Sequence, residues 1–338
     1  MAGTRFPVSD HCDGTHFFNP AGRLQMRGFS QLPRWWWQRL VKGQGSRWPR
    51  TVPAPRTPVL PEGIPAGQMA VTFIGHSTFL LQLPGLNILT DPVFASHAGP
   101  FGLLGPKRAR PAALRLSQLP RIDVVLLSHN HYDHLDLAAL QWLARQHRPA
   151  IVTTLGNRAW LEARGVGRVT ELDWWQSHHP AANLEAICTP AQHFAARTPW
   201  DARQTLWGGF MLRTAAGLVF FAGDSGWAPH FAEIHARLGP PALALIPIGA
   251  YEPRWFMEAV HMNPDEAVRS HLALGARQSL GMHFGTFQLT DEAIDAPLHE
   301  LAAARTAHQV APADFTALDF GETRLLRLSP LPSAPVRG

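Results

Sequence analysis

Apolar residues along this chain recur in short blocks rather than long stripes. From residue 69 onward, blocks at 70–74, 79–83, 86–90 and 124–128 are bounded by Gly, Pro, Asn or Asp, the pattern of β-strands. Similar blocks predict strands at 150–154, 184–189, 206–213, 218–222, 243–246 and 279–283. Helical spacing lies between them, at 135–145, 157–164, 228–238 and 291–304. The clearest helix start is Asn263-Pro264-Asp265-Glu266. It offers a capping side chain, a proline at the first helical position and two acids where the helix dipole is positive. Strands come first in pairs and then alternate with helices, which predicts a layered α/β domain with mixed sheets.

The first 68 residues have a different texture. They carry nine of the thirty prolines and the cluster Trp35-Trp36-Trp37, with nine Arg or Lys against three Asp or Glu. The remaining 270 residues are near neutral, with 21 basic and 22 acidic side chains. This predicts an irregular N-terminal extension over 1–68 with one short helix at 29–41. A Pro-rich stretch at 49–65 then leads into a main domain at 69–330, followed by a tail at 331–338. Two readings of the Trp/Arg segment stand side by side. Either it packs against the main domain, or it docks peripherally on a membrane, where Trp favours the interface and Arg favours anionic head groups.

Composition narrows the class. With 338 residues, 46% hydrophobic and 16% charged, the chain can bury a large core without staples and is not a disordered or fibrous protein. Its two cysteines, Cys12 and Cys188, form neither a disulfide framework nor a C-x-x-C metal pair. No run of about 18 apolar residues suits a membrane-spanning helix. Residues 1–16 lack the apolar stretch of a signal peptide. The expectation is a cytoplasmic protein of undetermined oligomeric state, with any membrane contact peripheral and on the inner face.

The segment richest in chemistry is Ser128-His129-Asn130-His131-Tyr132-Asp133-His134. It follows a predicted buried strand and precedes a helix. Imidazole and carboxylate are the donors that suit Zn²⁺ and similar divalent ions. In the extended start of the loop, alternate residues point the same way, so His129 and His131 can grip one ion. The turn that follows swings Asp133 and His134 towards a second point.

This motif resembles the metallo-β-lactamase superfamily, which implies an αββα sandwich of two mixed sheets with two metals at one edge. The resemblance also implies the remaining ligands: His193 in TPAQHF, Asp224 in FAGDS and His283 in GMHFG, each after a strand. The intervals are 59, 31 and 59 residues from His134 onward. His129, His131 and His193 would hold one ion, Asp133, His134 and His283 the other, with Asp224 bridging.

A closer resemblance rests on Gly75–Thr78 (GHST), Leu89–Phe94 (LTDPVF) and Gly105–Arg108 (GPKR). It extends through Thr189–Thr198, Leu206–Gly209, Ile246–Met257, His261–Ala267 and His283–Phe287. These are similar to the N-acyl-phosphatidylethanolamine-hydrolysing phospholipase D family and its bacterial relatives, and more distantly to ascorbate-6-phosphate lactonases. The implied activity is hydrolysis of a phospholipid phosphodiester to phosphatidic acid and an N-acylethanolamine, by a hydroxide held between two divalent ions. A lactonase or β-lactamase-type reaction on a carbonyl is the alternative. Nucleic acid is not expected as a partner, because the main domain is near neutral.

Several residues carry secondary expectations. Asp91, before Pro92, either fixes the tautomer of a ligand histidine or is a turn aspartate. His76 is either a neighbour of the ligands or a buried structural histidine. His261 corresponds to a histidine that the family places beside the metals, where it could assist proton transfer; a satisfied loop histidine is the alternative. Tyr251 and Arg254 either touch the phosphate or its acyl arms, or pack at the surface.

Overall fold

The structure is a computed structural model that describes residues 5–19, 31–41, 43, 45–49 and 52–328. The expected tail at 331–338 lies outside the described residues, as do Phe29 and Ser30 of the expected first helix. The observed helix α1 is Leu32–Val41.

Among the described residues, fourteen strands form two seven-stranded sheets. The first sheet contains β1 (Gln68–Gly75), β2 (Thr78–Leu83), β3 (Leu86–Thr90), β4 (Val124–Leu127), β5 (Ala150–Thr154) and β6 (Val169–Leu172), with β14 (Thr323–Arg327) pairing on β1. The second contains β7 (Ser177–Ala181), β8 (Leu184–Thr189), β9 (Gly209–Thr214), β10 (Gly217–Phe221), β11 (Leu243–Pro247), β12 (Gln278–Met282) and β13 (Phe315–Thr316). Each sheet has an antiparallel half and a parallel half. The pairs β3–β4, β4–β5 and β5–β6 are parallel in the first. So are β10–β11, β11–β12 and β12–β13 in the second.

Burial on both faces explains the continuous apolar blocks. In β4, Val124 and Leu126 join the core shared with the second sheet, while Val125 and Leu127 face the opposite way. Helix α2 (Leu137–Gln146) covers that outer face with Leu140 and Leu143. On the second sheet, α4 (His230–Leu238) and α6 (Pro264–Leu274) contribute Phe231, Ile234 and Val268. Helices α3 (Arg158–Glu162), α5 (Arg254–Met257) and α7 (Ala296–Ala307) complete the shell. The layering is the expected αββα sandwich.

The start of α6 is built as its sequence implied. Asn263 Oδ1 accepts from Glu266 N, and the Glu266 carboxylate returns to Asn263 N. Strands β6, β7, β13 and β14 were not expected. β7 reads Ser-His-His-Pro-Ala and lies half exposed at a sheet edge, so it lacks the apolar block that marks a strand.

The N-terminal residues are not merely a spacer. Cys12 and Phe17 are part of the main core. His11 sits between Asp10 and Asp173, at 2.6 and 2.8 Å, and stacks on Trp174. Trp35 is buried against Phe256 and donates to Asp291 at 2.6 Å.

Candidate metal centre

The cluster forms where strands end. Asp91 follows β3, the 128–134 loop follows β4, His193 follows β8, Asp224 follows β10 and His283 follows β12. The loops are stitched to one another by backbone bonds: His283 N donates to His76 O at 2.9 Å, and Gly208 N to Ser128 O at 3.2 Å. Gly223, at φ +61°, lets the chain before Asp224 approach closely; a Cβ there would lie 2.7 Å from Gly208 O and 2.8 Å from Ser128 Cβ. His76, Asp91 and His283 also have positive φ, at 59°, 28° and 62°. Such backbone costs of order 1–3 kcal/mol per residue and concentrates where function requires it.

Asp224 is the hub. Its Oδ2 lies 3.1 Å from His134 Nε2 and 3.1 Å from His283 Nε2. It also lies 3.8 Å from His193 Nε2, 4.0 Å from His129 Nε2 and 4.0 Å from His261 Nδ1. On one side, His131 Nδ1 is 2.9 Å from His129 Nε2 and 3.3 Å from His193 Nε2. On the other, Asp133 Oδ2 is 3.0 Å from His76 Nε2, 3.3 Å from His283 Nε2 and 3.6 Å from His134 Nε2. Two donor sets therefore converge on either side of one carboxylate: His129, His131 and His193, and His76, Asp133, His134 and His283.

The outward nitrogens of His129, His134 and His193 are held by hydrogen bonds, whereas Nδ1 of His76 and of His283 has none among the described residues. His134 Nδ1 donates to Asp91 Oδ2 at 2.6 Å. His193 Nδ1 donates to Val260 O at 2.9 Å. His129 Nδ1 donates to Ser128 Oγ at 2.9 Å, and that hydroxyl donates to Asp91 Oδ2 at 2.6 Å. Each bond fixes the ring so that its other nitrogen is aimed into the cluster, the one that would face a metal. The inward atoms His134 Nε2, His283 Nε2, His261 Nδ1 and Asp224 Oδ1 are buried with no hydrogen-bond partner among the described residues. Buried polar atoms are rarely left so, and a converging set of imidazoles and carboxylates fits a divalent ion.

Charge within the cluster is polarised. Burial first, and then the neighbouring imidazoles, hold His129 well below its ordinary pKa, and His131 at about 3. Burial takes His193 to about 4 against the pull of Asp224. Burial opposes the charged form of His134 and His283 as well. Asp224, seconded by Asp133, nevertheless holds His134 well above its ordinary value and His283 at about 9. Asp133 and Asp224 stay far below the carboxylate range, because the surrounding histidines, His134 foremost, overcome their burial. The protons on His134 and His283 occupy positions that a cation would take.

Among the residues singled out in the sequence, all seven expected ligands, together with His76, Asp91 and His261, fall in this cluster. Tyr251 and Arg254 do not. Tyr251 is 1% exposed, so surface packing does not describe it. Arg254 Nη2 pairs with Glu266 at 2.8 Å and Nη1 donates to His261 O at 2.9 Å, so it reaches the cluster only through the backbone that carries His261. Sequence reasoning missed Asn19. Its side chain bonds both backbone groups of His193, and nothing in its Pro-, Trp- and Arg-rich surroundings marks it.

Comparison with known proteins agrees with this geometry. A family model described as beta-lactamase superfamily domain matches residues 86–284. The chain is 39% identical over 264 residues to N-acyl-phosphatidylethanolamine-hydrolyzing phospholipase D 1 of Caenorhabditis elegans, covering 74% of each protein. It is 35% identical over 236 residues to the mitochondrial N-acyl-phosphatidylethanolamine-hydrolyzing phospholipase D of Saccharomyces cerevisiae, covering 68% of this chain and 50% of that protein. In fold it resembles a possible metal-dependent hydrolase from Veillonella parvula, with a TM-score of 0.62 at 16% identity, covering 77% of this chain and all of that one.

Proposed function

Because the chain belongs to the beta-lactamase superfamily as a metal-dependent hydrolase, we propose that it cleaves a phosphodiester in an N-acyl-phosphatidylethanolamine-like phospholipid. The products would be phosphatidic acid and an N-acylethanolamine. The observation that carries this reading is the 39% identity shared over three quarters of both chains with a hydrolase of that lipid.

His129, His131 and His193 would hold one divalent ion and Asp133, His134 and His283 a second, with Asp224 between them. Such ions, zinc by donor type, supply Lewis acidity: they lower the pKa of coordinated water and offset charge on phosphoryl oxygens. The protein's own side chains have separate tasks. Asp91 orients His134 directly and His129 through Ser128. His76 orients Asp133. His261 is 7% exposed, with Nδ1 4.0 Å from Asp224, a place from which its neutral imidazole can assist proton transfer.

A groove beside the motif loop supports a lipid substrate. It measures about 740 Å³ and is lined by Phe94, Leu116, Tyr132, Leu135, Trp142 and Trp160, with Arg145, Arg164 and Arg197 also lining it. Its volume and apolar walls suit an acyl chain, and its cations suit an anionic head group.

A substrate panel on metal-analysed protein tests the reading. It should contain N-acyl phosphatidylethanolamine, a chromogenic phosphodiester, a homoserine lactone and a cephalosporin. Turnover of the phospholipid is expected; turnover of the lactone or cephalosporin alone would replace the phosphodiester with a carbonyl substrate.

A further inference from the structure

His193 does not sit in a strand. β8 ends at Thr189 and β9 begins at Gly209, so the backbone N–H and C=O of His193 lie beyond the β-ladder. The residue is 1% exposed, and buried peptide groups need partners. Asn19, from the N-terminal segment 174 positions away, supplies both. Its Nδ2 donates to His193 O at 3.0 Å, and its Oδ1 accepts from His193 N at 3.3 Å. The side-chain amide thus takes the place of a neighbouring strand's peptide group.

The clamp is itself held in place. Asn19 is 6% exposed, and its Oδ1 also accepts from Trp207 Nε1 at 3.3 Å, while that indole donates to Ala191 O at 3.0 Å. Upstream, Phe17 N donates to Arg203 O at 2.8 Å. The Phe17 ring is fully buried and meets Phe6 at 4.9 Å. His11 is locked between two carboxylates. The segment is therefore anchored at several points, and its Asn19 holds the main chain of one cluster histidine.

We propose that Asn19 is a positioning residue for the metal centre. With Val260 O holding Nδ1 and Asn19 holding N and O, His193 has one ring nitrogen left, Nε2, and its direction is set. The N-terminal segment would thereby be part of the metal site rather than an accessory to it. This inference rests on the reading of His193 as a ligand.

The test uses the full-length protein and reads zinc affinity by competition with a chromogenic chelator, together with the visible spectrum of the cobalt-substituted form. Asn19→Ala should weaken one of the bound equivalents by about 10- to 100-fold, the usual consequence of removing a ligand's hydrogen-bond partner, and should alter the cobalt spectrum. Asn19→Asp has the same size and keeps an acceptor for His193 N–H, but opposes His193 C=O with a second oxygen. It should fold and still lose affinity. Val166→Ala opens a hole in the separate core cluster behind the first sheet, away from the segment and from His193; it should lower thermal stability and leave zinc affinity unchanged. Wild-type affinity and spectrum in both Asn19 variants would overturn the proposal. Wild-type affinity in His193→Ala would instead overturn the ligand reading beneath it.

Discussion

Asp91 and His134 share a 2.6 Å hydrogen bond between two side chains with no exposed surface. The carboxylate also accepts from Ser128 N at 2.8 Å and Ser128 Oγ at 2.6 Å, so one buried acid organises two histidines of the cluster. Asp91→Asn preserves the shape but can place an amide donor against His134 Nδ1. The ring must then accept at Nδ1 and carry its proton on Nε2, the nitrogen that faces Asp224. Zinc affinity should fall about 10- to 100-fold, with a parallel loss of hydrolysis. Zinc titration of the variant checks this, and unchanged affinity would refute the orienting role.

Removing the metal should abolish hydrolysis and give stability an unusual pH dependence. In the metal-free protein His76, His129, His131, His193 and His261 have lowered pKa values. As pH falls below about 6.5 the unfolded chain takes up protons that these folded imidazoles refuse, so stability falls. His134 and His283 have raised values, the latter about 9. Their contribution is complete below the unfolded value and is lost as pH rises through the folded one. Urea midpoints of the chelated protein should therefore peak near about pH 6.5. In the loaded protein cations replace those two protons, so the alkaline decline should flatten. A metal-free midpoint that climbs steadily from neutrality to pH 9 would contradict the charge arrangement.

His261→Ala should keep both ions and lose about 10²-fold or more in kcat, the usual worth of a group that assists proton transfer. Metal analysis beside steady-state kinetics separates this from a ligand role, in which metal would be lost. Arg254 gives a second handle. It holds the His261 carbonyl and the Glu266 capping carboxylate, so Arg254→Met should lower kcat in the same direction while leaving groove residues untouched.

Much of the site was legible because its donors crowd into one strand-end motif. Six residues, His129 to His134, contain four of the seven expected ligands, and strand–loop–helix periodicity placed them correctly. His193, Asp224 and His283 are single polar residues after apolar blocks, so only resemblance to a family drew them out. Asn19 and Arg254 were not legible in role. Their work is done through hydrogen bonds to backbone groups, which leave no trace in local periodicity. β7 was hidden for a related reason: Ser177-His178-His179 is an edge strand whose exposed face needs no apolar residues.

The tryptophan cluster at 35–37 separates into residues with different surroundings. Trp35 is 8% exposed, donates to Asp291 at 2.6 Å and packs on Phe256, while Trp37 is 59% exposed. Nearby, Trp48 Nε1 donates to Glu292 O at 2.9 Å, Gln288 reaches Ser46 O, and Arg34 lies 4.3 Å over the ring of Trp255. This segment covers the chain around α5, which leads into the His261 loop. Trp35→Ala removes a buried indole and its hydrogen bond, and should cost about 3 kcal/mol in a denaturation curve. Trp37→Ala should stay within about 0.5 kcal/mol of wild type. Deleting residues 1–48 removes Asn19 and Trp35 together, so the product should aggregate or melt early rather than remain a metal-loaded domain. Peripheral docking then has to be tested with Trp37→Ala in the intact chain. If that indole enters a bilayer interface, sedimentation with anionic liposomes should weaken in the variant. Its remaining binding should be removed by salt, because cationic attraction is screened and apolar insertion is not. Equal sedimentation of wild type and variant at every salt concentration would leave the segment with packing as its sole role.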